Sequence, residues 1–333
     1  MTVALLTGGS SNLSISLAKR LIDKSTTNLT IILTSRTLPK ALDTISELHG
    51  YAQASSKFSV EFDYILVDFC DMVSVLSAYY DINKKYHHLD FLFINSAQTA
   101  YLGVDFWFAI KDIIRDPIFA VTEGQMKIQK AGLKSGDGMG LLFQGNVFGP
   151  YYLIHKLKPL LHKSKIIWVS SPASGAQYLS FNDLELVQNT SPYEGSKRLI
   201  DLLHMGSYRK LASEGIHQYV VNPGVFTSFV FNQYLNVFTF YGMLALFYMA
   251  RFLGSKVHNI SGHNAANSLM KCAWGDEPQD KKVASCSDVW GKEYVGYDEI
   301  DGTGAEDVVA YLDKLVRVWD EKLEGQIVGT RKP

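Results

Sequence analysis

The sequence predicts an α/β fold in which one parallel, doubly wound sheet carries helices on both faces. Six short segments have the length and the β-branched or aromatic composition of strands, and amphipathic segments of helical length lie between most of them. Strands that alternate with helices build parallel sheets, because each helical crossover returns the chain to the same edge. The predicted strands are residues 3–7, 29–34, 62–68, 91–95, 166–170 and 217–222, within a single domain over 1–333.

Composition excludes several classes of function. Apolar residues make up 47% of the 333 residues, which is enough for a large core. The 32 lysines and arginines nearly balance the 33 aspartates and glutamates, so the net charge of −1 gives no field that attracts nucleic acid. Cys70, Cys272 and Cys286 lack the spacing of a zinc site, and we expect reduced thiols. Met1–Leu6 has no basic segment of the kind that opens a secretory signal.

The first predicted strand runs into a glycine-containing turn. Gly8 and Gly9 are followed by Ser10–Asn12, and apolar residues recur at helical spacing from Leu13 onward. Glycine lets a phosphate approach the backbone, and the free N–H groups of a helix N-terminus attract negative charge. The turn therefore predicts a pyrophosphate site; an ordinary strand–helix turn of similar composition is the alternative.

The second and third strands end where dinucleotide folds bind adenosine. Ser35 and Arg36 follow the second strand, and no acidic residue occurs between Ile31 and Lys40. An acid at this place binds the 2′-hydroxyl of NAD, whereas an arginine accommodates the 2′-phosphate of NADP, so we expect NADP. Asp68 is placed to meet the adenine amino group. A surface arginine and a turn-starting aspartate are the alternatives.

Turn and polar residues follow the remaining strands as well. Since the carboxyl ends of parallel strands share one edge of the sheet, where ligands bind, these residues are expected to lie together. They are Asn95, Ser170, Ser171, Pro223 and Gly224, with Thr227 placed to reach a nicotinamide amide.

Tyr193 and Lys197 form the most informative pair. The apolar residues after them fall at helical spacing, and side chains four apart share one face of a helix. A neighbouring ammonium favours the phenolate and lowers the tyrosine pKa, which would let Tyr193 exchange a proton near neutral pH. The same spacing also occurs on solvated helix faces, so the pair gains meaning from the motifs around it.

Together these motifs resemble the short-chain dehydrogenase/reductase family. The resemblance lies in the order and spacing of Thr7-Gly8, Asn95-Ser96-Ala97, Asn146-Val147-Phe148-Gly149, Ser170-Ser171, Tyr193-x-x-x-Lys197 and Pro223-Gly224. It implies a Rossmann-like oxidoreductase that uses NADPH and no metal. The cofactor contacts that it implies are Thr7, Gly8, Ser11, Asn12, Leu13, Ser35, Arg36, Asp68, Asn95, Ala97, Tyr193, Lys197, Pro223, Gly224, Val225 and Thr227.

The same resemblance implies the catalytic roles. Tyr193 would donate a proton to a ketone oxygen that Ser171 holds by a hydrogen bond. Lys197 would lower the Tyr193 pKa and hold the nicotinamide ribose, and Asn146 would carry a water that relays protons to Lys197. Ser170 is the alternative to Ser171.

Three departures from the family pattern stand out. Asn12 and Ser14 replace two glycines of the first turn; Asn12 is expected to keep a left-handed turn, whereas Ser14 threatens close helix–strand packing and hence cofactor affinity. The loop between Ser171 and Tyr193 is long, so Phe181–Leu186 is expected to bulge out beside the site. An insertion over 98–140 is expected near the substrate entrance, where the apolar side chains Phe106, Trp107 and Ile110 either line a substrate pocket or form a surface excursion.

A closer likeness covers essentially the whole chain and is strongest in segments that include Ser35–Lys40, Gly145–Tyr152 and Tyr193–His204. In these segments the chain resembles the fungal 3-ketosteroid reductases of ergosterol synthesis. That resemblance implies a sterol ketone substrate of the zymosterone type, the other enzymes and the scaffold of sterol C-4 demethylation as partners, and the cytosolic face of the endoplasmic reticulum or lipid droplets as the location. In the wider short-chain dehydrogenase/reductase family the two helices that carry Asn146 and Tyr193 often form a dimer face, so a homodimer is one expectation. A reductase of other steroids or carbonyls, and a non-catalytic scaffold that has lost cofactor binding, are the alternatives.

The most apolar segment, Val237–Ala250, favours contact with lipid. As a helix, its 14 residues would span roughly 21 Å, which is short of a hydrocarbon core of about 30 Å. We therefore expect no membrane span but a substrate lid or an interfacial helix within 225–260, with Arg251 and Lys256 at the lipid headgroups. A helix buried in the core is the alternative.

Overall fold

The structure, a computed structural model, describes residues 1–104, 107, 111, 115, 127–227 and 237–326. All six predicted strands are confirmed, with ends that shift by at most two residues. The described strands are β1 (Thr2–Leu6), β2 (Leu29–Ser35), β3 (Val60–Leu66), β4 (Phe91–Ile94), β5 (Tyr101–Val104), β6 (Lys127–Gln129), β7 (Lys165–Val169), β8 (His217–Asn222), β9 (Val225–Phe226), β10 (His258–Ile260), β11 (Lys282–Ser287) and β12 (Glu293–Asp298).

Helices connect most of these strands. They are α1 (Asn12–Lys24), α2 (Leu38–Ser55), α3 (Met72–Lys85), α4 (Gly149–Leu157), α5 (Pro192–Ser213), α6 (Val237–Phe252), α7 (Asn267–Trp274) and α8 (Ala305–Lys322). Shorter helical turns occupy Leu141–Phe143, Gln144–Phe148, Lys158–Leu160, Ala176–Tyr178 and Gly262–Ala265. The predicted helix after the Gly8–Asn12 turn is therefore confirmed as α1.

Eight strands form the central sheet in the order β12-β11-β8-β7-β4-β1-β2-β3. All neighbouring pairs are parallel except β11 and β12, which are antiparallel. The predicted doubly wound parallel sheet is confirmed. The sequence analysis missed β11 because Lys282, Ser285 and Ser287 interrupt its apolar pattern, although every residue of β11 is buried.

Side chains at alternate positions of the strands pack into two hydrophobic cores, one on each face of the sheet. On β1, Val3 and Leu5 point to the layer that contains α3, α4, α5 and α8, whereas Ala4 and Leu6 point to the layer of α1, α2 and α7. Because both faces are covered, the central strands are apolar along their whole length.

Helix α8 packs on the two helices through which a dimer was expected. Tyr151 Oη and Tyr152 Oη of α4 donate to Asp313 Oδ1 at 2.6 Å and Asp320 Oδ1 at 2.7 Å. A Cβ on Gly206 of α5 would lie only 2.6 Å from the Ala305 carbonyl oxygen of α8. A homodimer through the faces of α4 and α5 that α8 covers would therefore have to displace α8.

Helix α6 confirms the predicted helical segment and extends it to Phe252. Its solvent-exposed positions repeat at helical spacing and are all apolar or small: Val237, Phe238, Tyr241, Gly242, Ala245, Tyr248, Met249 and Phe252. The helix is thus not a core helix. In the described part of the chain, none of the helices has both the length and the apolar content for crossing a membrane.

The expected headgroup role of Arg251 is wrong. Its guanidinium is buried and donates to the backbone carbonyls of His258 at 2.9 Å and Asn259 at 2.7 Å, so it anchors α6 to β10. Lys256 is exposed, as expected.

Candidate active site

The carboxyl edge of the sheet brings the first turn and the end of β4 together. Thr7 Oγ1 accepts hydrogen bonds from the backbone N–H groups of Asn95 at 2.8 Å and Ser96 at 2.9 Å. Gly8 has φ +64°, and a Cβ there would lie 2.9 Å from the Ser96 Cα. Only glycine fits this approach, so the turn has the narrow backbone cradle that the sequence predicted for a phosphate.

Ser14 does not disturb the packing of α1 against the sheet. Its buried hydroxyl accepts from Asn95 Nδ2 at 2.9 Å and lies 3.4 Å from the Thr7 carbonyl oxygen. Asn95 Nδ2 also donates to the hydroxyl of Ser11, which caps α1 by accepting from the Ser14 N–H. A hydrogen-bonded serine therefore replaces the family's glycine, which the sequence alone could not indicate.

Asn12 does not have the left-handed backbone that was expected for it. It is the first residue of α1, and its Nδ2 donates to the Thr227 carbonyl at 2.7 Å, while Leu13 beside it is buried. Thr227 Oγ1 donates to the Ile260 carbonyl at 3.0 Å. Asn12 thus ties the phosphate turn to the segment after β9.

The residues expected around adenosine lie at the same edge. Arg36 is exposed, and its Nη1 donates to Gln98 Oε1 at 3.2 Å, whereas Ser35 is buried and bonds to Thr37. Asp68 Oδ1 accepts from the Cys70 N–H at 2.9 Å. The stretch of chain between Ile31 and Lys40, which contains Arg36, has no acidic residue that could bind a ribose 2′-hydroxyl.

The site fits a nicotinamide dinucleotide. The Gly8 cradle, the first turn of α1 and the exposed Arg36 provide places for phosphates, and Ala97 is exposed beside them. Ser96 Oγ, close to Gly8, is buried without a hydrogen-bond partner among the described residues. Since buried hydroxyls are normally satisfied, this atom lacks a hydrogen-bond partner that a bound ligand would supply.

Residues after β8 lie at the same carboxyl edge of the sheet. Gly224 has φ +70°, and its Cβ would lie 2.3 Å from the Val257 carbonyl oxygen, which itself accepts from the Val225 N–H at 2.7 Å. The Pro223 carbonyl accepts from Asn259 Nδ2 at 2.7 Å. These contacts fix the segment that leads to Thr227.

Asn146 lies in the π-helical segment Gln144–Phe148, a local widening of the helix that often marks functional sites. Its Oδ1 accepts from the Gln98 N–H at 2.5 Å, and its Nδ2 donates to the Gln98 carbonyl and to Ser196 Oγ, both at 3.0 Å. Asn146 therefore connects the chain after β4 to α5, one residue from Lys197.

Tyr193 and Lys197 share one face of α5, as predicted. Lys197 Nζ lies 5.5 Å from the centre of the Tyr193 ring and donates to the Val169 carbonyl at 2.8 Å. Burial lowers the pKa of Lys197 to about 8. The predicted lowering of the Tyr193 pKa is not found: burial raises that pKa, and the charge of Glu194 raises it further.

The two neighbouring serines have different surroundings. Ser170 is buried, and its hydroxyl donates to Asp201 Oδ1 at 2.7 Å. Ser171 is partly exposed, and its hydroxyl accepts from the Ala173 N–H at 3.1 Å, which leaves its proton available to a ligand. Geometry therefore favours Ser171 over Ser170 for holding a carbonyl oxygen.

The sequence analysis missed a buried charge pair directly behind these residues. Asp201 of α5 and Lys282 of β11 are both buried, and Lys282 Nζ also donates to Ser174 Oγ and the Ser171 carbonyl. The spacing of four between Lys197 and Asp201 was a usable signal, but Lys282 is brought there only by the sheet.

The long loop and the insertion both contact the start of α5. Leu186 is buried, and a Cβ on Gly195 would lie 2.7 Å from its Cδ2, whereas Phe181 is half-exposed. The β5–β6 hairpin of the insertion places the Tyr101 ring 5.9 Å from that of Tyr193.

Of the insertion's apolar side chains, Trp107 is 79% exposed. Phe106 and Ile110 lie outside the described residues.

Comparison with known proteins gives one family. The short chain dehydrogenase family matches residues 2–236. The chain is 56% identical over 339 residues to the 3-keto-steroid reductase ERG27 of Candida albicans, covering 100% of this chain and 98% of that protein. It is 49% identical over 342 residues to the Saccharomyces cerevisiae protein of the same name, covering 99% of each.

A 3-ketoacyl-(acyl-carrier-protein) reductase structure from Brucella melitensis, complexed with NADH, shares the fold. The TM-score is 0.54, with 16% identity over 84% of this chain and 91% of that one.

Proposed function

This chain belongs to the short-chain dehydrogenase family, and we propose that it uses NADPH to reduce the 3-keto group of sterol C-4 demethylation intermediates, of the zymosterone type, to the 3β-hydroxyl in ergosterol biosynthesis. The observation that carries the proposal is the placement of Tyr193 and Lys197 on one face of α5, in a chain whose whole length is similar to 3-keto-steroid reductases. Family membership gives a nicotinamide cofactor; the preference for NADPH and the sterol are part of the proposal.

Each candidate residue has a chemical task in this reaction. Bound reduced nicotinamide supplies the hydride. The Tyr193 hydroxyl donates a proton to the ketone oxygen, and its raised pKa keeps that proton in place until the oxygen becomes basic. Ser171 donates a hydrogen bond to the same oxygen and positions it. Lys197, with its ammonium close to the Tyr193 ring, stabilises the phenolate that remains.

Asn146 and Lys197 are joined through Ser196, whose hydroxyl accepts from Asn146 and donates to the Tyr193 carbonyl at 2.6 Å. Asn146 thereby holds the first turn of α5 against the chain after β4. A water bound near Asn146 would return a proton to Lys197 and then to Tyr193 after each turnover.

Arg36 supports the preference for NADPH. It is exposed at the end of β2, where a 2′-phosphate lies in such folds, and the neighbouring chain lacks the acid that a 2′-hydroxyl requires.

Helix α6 supports attachment to the surface of a membrane or lipid droplet, without a span. Phe238 is 88% exposed and Phe252 80% exposed on one apolar stripe, which has no charged residue. A sterol dissolved in lipid would be reached most directly from that position. We extend the proposal to the cytosolic face of the endoplasmic reticulum or lipid droplets, beside the other sterol demethylation enzymes and their scaffold.

Incubation of the purified protein with NADPH and a 4-methyl-3-keto-sterol tests the reaction. Tyr193→Phe should lower turnover by a factor on the order of 10² to 10⁴, the usual worth of a general acid. Tyr208→Phe removes a hydroxyl that accepts from Arg209 Nε on the same helix and should retain activity. Undiminished turnover by Tyr193→Phe would remove Tyr193 from the acid role. Turnover of small ketones alone would support a general carbonyl reductase, and absence of NADPH binding would leave a scaffold.

A further inference from the structure

Gln129 of the β5–β6 hairpin makes two hydrogen bonds to the first turn of α5. Its Oε1 accepts from the backbone N–H of Tyr193 at 3.0 Å, and its Nε2 donates to Glu194 Oε2 at 2.6 Å. The opposite residue in the hairpin, Tyr101, packs its ring against that of Tyr193. Both paired residues of the hairpin therefore touch the proton donor or its neighbour.

The start of α5 needs such a partner. Ser191 precedes the helix but makes no capping hydrogen bond with its side chain, and Pro192 has no N–H group. The Tyr193 N–H is therefore the first backbone donor of α5 that has no acceptor within the helix. Gln129 supplies the acceptor that the local sequence does not provide.

The amide of Gln129 satisfies both contacts at once, because its oxygen accepts from the N–H and its NH₂ group donates to the carboxylate. Glu194 is buried, and its charge contributes to the raised pKa values of Tyr193 and Tyr101. Lys197 also lies beside the Tyr193 ring, with its Nζ 5.5 Å from the ring centre. Gln129 thus contacts the backbone of the proton donor and the anion beside it.

We propose that Gln129 is a positioning residue for the reductase reaction: it fixes Tyr193 and holds the Glu194 carboxylate, so that the insertion hairpin sets the placement of the proton donor. This inference rests on the proposed function, in which Tyr193 is the acid. It gives the insertion a role in catalysis that neither a surface excursion nor a pocket lining would have.

Substitutions that swap the donor and the acceptor between the side chains of Gln129 and Glu194 test the proposal. Gln129→Glu keeps the acceptor for the Tyr193 N–H but places a carboxylate against Glu194, and should lower kcat at least about tenfold, since misplacement by 1 Å can cost on the order of 100-fold. Adding Glu194→Gln places an amide donor at position 194, so that the side chains at positions 129 and 194 can again form a hydrogen bond. The double variant should recover to within about threefold of wild type, which is a coupling that independent sites do not show.

Gln188→Glu makes the same charge change on an exposed residue of the neighbouring loop and serves as the matched control. The KM for the sterol should change less than kcat in Gln129→Glu, because placement of the acid affects the transition state more than binding. A purely additive loss in the double variant, or an equal loss in Gln188→Glu, would overturn the proposal.

Amide hydrogen exchange at Tyr193 gives a readout that does not require turnover. Gln129→Ala removes the acceptor and should accelerate exchange of this N–H at least about tenfold, whereas Gln188→Ala should leave it unchanged. Unchanged exchange in Gln129→Ala would overturn the proposal even in an active enzyme. Faster exchange in a protein that reduces no sterol would instead place the failure in the proposed function.

Discussion

Lys282 and Asp201 form a buried ion pair behind the candidate site, with the Lys282 Nζ 2.6 Å from Asp201 Oδ2. Lys282 also donates to Ser174 Oγ at 2.6 Å and to the Ser171 carbonyl at 3.2 Å. Asp201 lies one turn beyond Lys197 on α5. The pair therefore connects β11, the loop that carries Ser171 and the helix that carries Lys197, and it makes the geometry of the site depend on strands far along the chain.

Asp201→Asn should strongly destabilise the fold. The replacement leaves Lys282 buried without a counter-ion, which should lower the free energy of unfolding by about 3–5 kcal/mol in urea titrations. The exposed pair Lys281–Glu299, 2.7 Å apart, is the control, and Glu299→Gln should leave stability unchanged. Equal losses of unfolding free energy in Asp201→Asn and Glu299→Gln would contradict a stabilising role for the buried pair.

Lys197→Met should make the cofactor-free protein more stable at neutral pH while abolishing activity. Burial lowers the Lys197 pKa from 10.5 to about 8, so keeping its charge in the fold costs on the order of 3 kcal/mol below pH 8. Between pH 8 and 10.5 the unfolded chain binds more protons at this residue than the folded chain does. Wild-type stability should therefore rise with pH relative to the variant.

Urea unfolding of both proteins across that pH range measures the difference in stability. A difference that stays constant with pH would show that Lys197 keeps its ordinary pKa in the fold.

Arg36→Asp should reverse the cofactor preference. An aspartate binds the ribose 2′-hydroxyl of NADH and repels the 2′-phosphate of NADPH, so the ratio of kcat/KM for the two cofactors should shift toward NADH by on the order of 100-fold. Lys57→Asp makes the same charge change in the exposed loop before β3, away from the carboxyl edge, and should leave the ratio unchanged. An unaltered ratio in Arg36→Asp would mean that this guanidinium does not read the phosphate.

Ser14→Gly restores the family's glycine and should nevertheless destabilise the fold. The change removes the hydroxyl that accepts from Asn95 Nδ2 and adds backbone freedom to α1, which together should lower the free energy of unfolding by about 1–3 kcal/mol. NADPH affinity, measured by cofactor fluorescence, should not improve. Tighter binding in Ser14→Gly would show that the serine does obstruct the cofactor.

Phe238→Asp combined with Phe252→Asp should weaken binding to phosphatidylcholine vesicles that contain anionic lipid. Removing two exposed aromatic rings from the apolar stripe of α6 should reduce the partition coefficient at least about tenfold in flotation assays. Phe58→Asp changes an aromatic residue that is 41% exposed near β3 and is the control. Release of the wild-type protein by alkaline carbonate would agree with surface attachment, and retention would contradict it.

Local patterns were sufficient for the framework of the protein. The apolar runs predicted six strands of the central sheet, because a strand buried on both faces must be apolar throughout. The helical spacing after Tyr193 placed Lys197 on the same face, as observed. The edge of the sheet at which the candidate residues meet followed from the parallel arrangement alone.

Residues that depend on distant contacts were predicted poorly. Lys282 was not singled out from the sequence, since nothing near it in the chain indicates its partner Asp201, 81 residues earlier. Gln129 stands in an insertion without a recognisable motif, and its two partners belong to α5. Arg251 follows an apolar helix, which suggested a headgroup contact, but two backbone carbonyls of the following strand bind it instead.

The sequence by itself determined which motifs carry the chemistry and their order along the chain. These motifs are the glycine turn, the arginine after β2, and the tyrosine and lysine one helical turn apart. These features depend on residues within a few positions of one another, where backbone periodicity fixes geometry. The tertiary structure alone decided the pKa values of Tyr193 and Lys197, the partner of Asp201 and the contact of Gln129. Burial and charge at a site are set by whatever the fold packs around it, and that packing joins segments that are not neighbours in sequence.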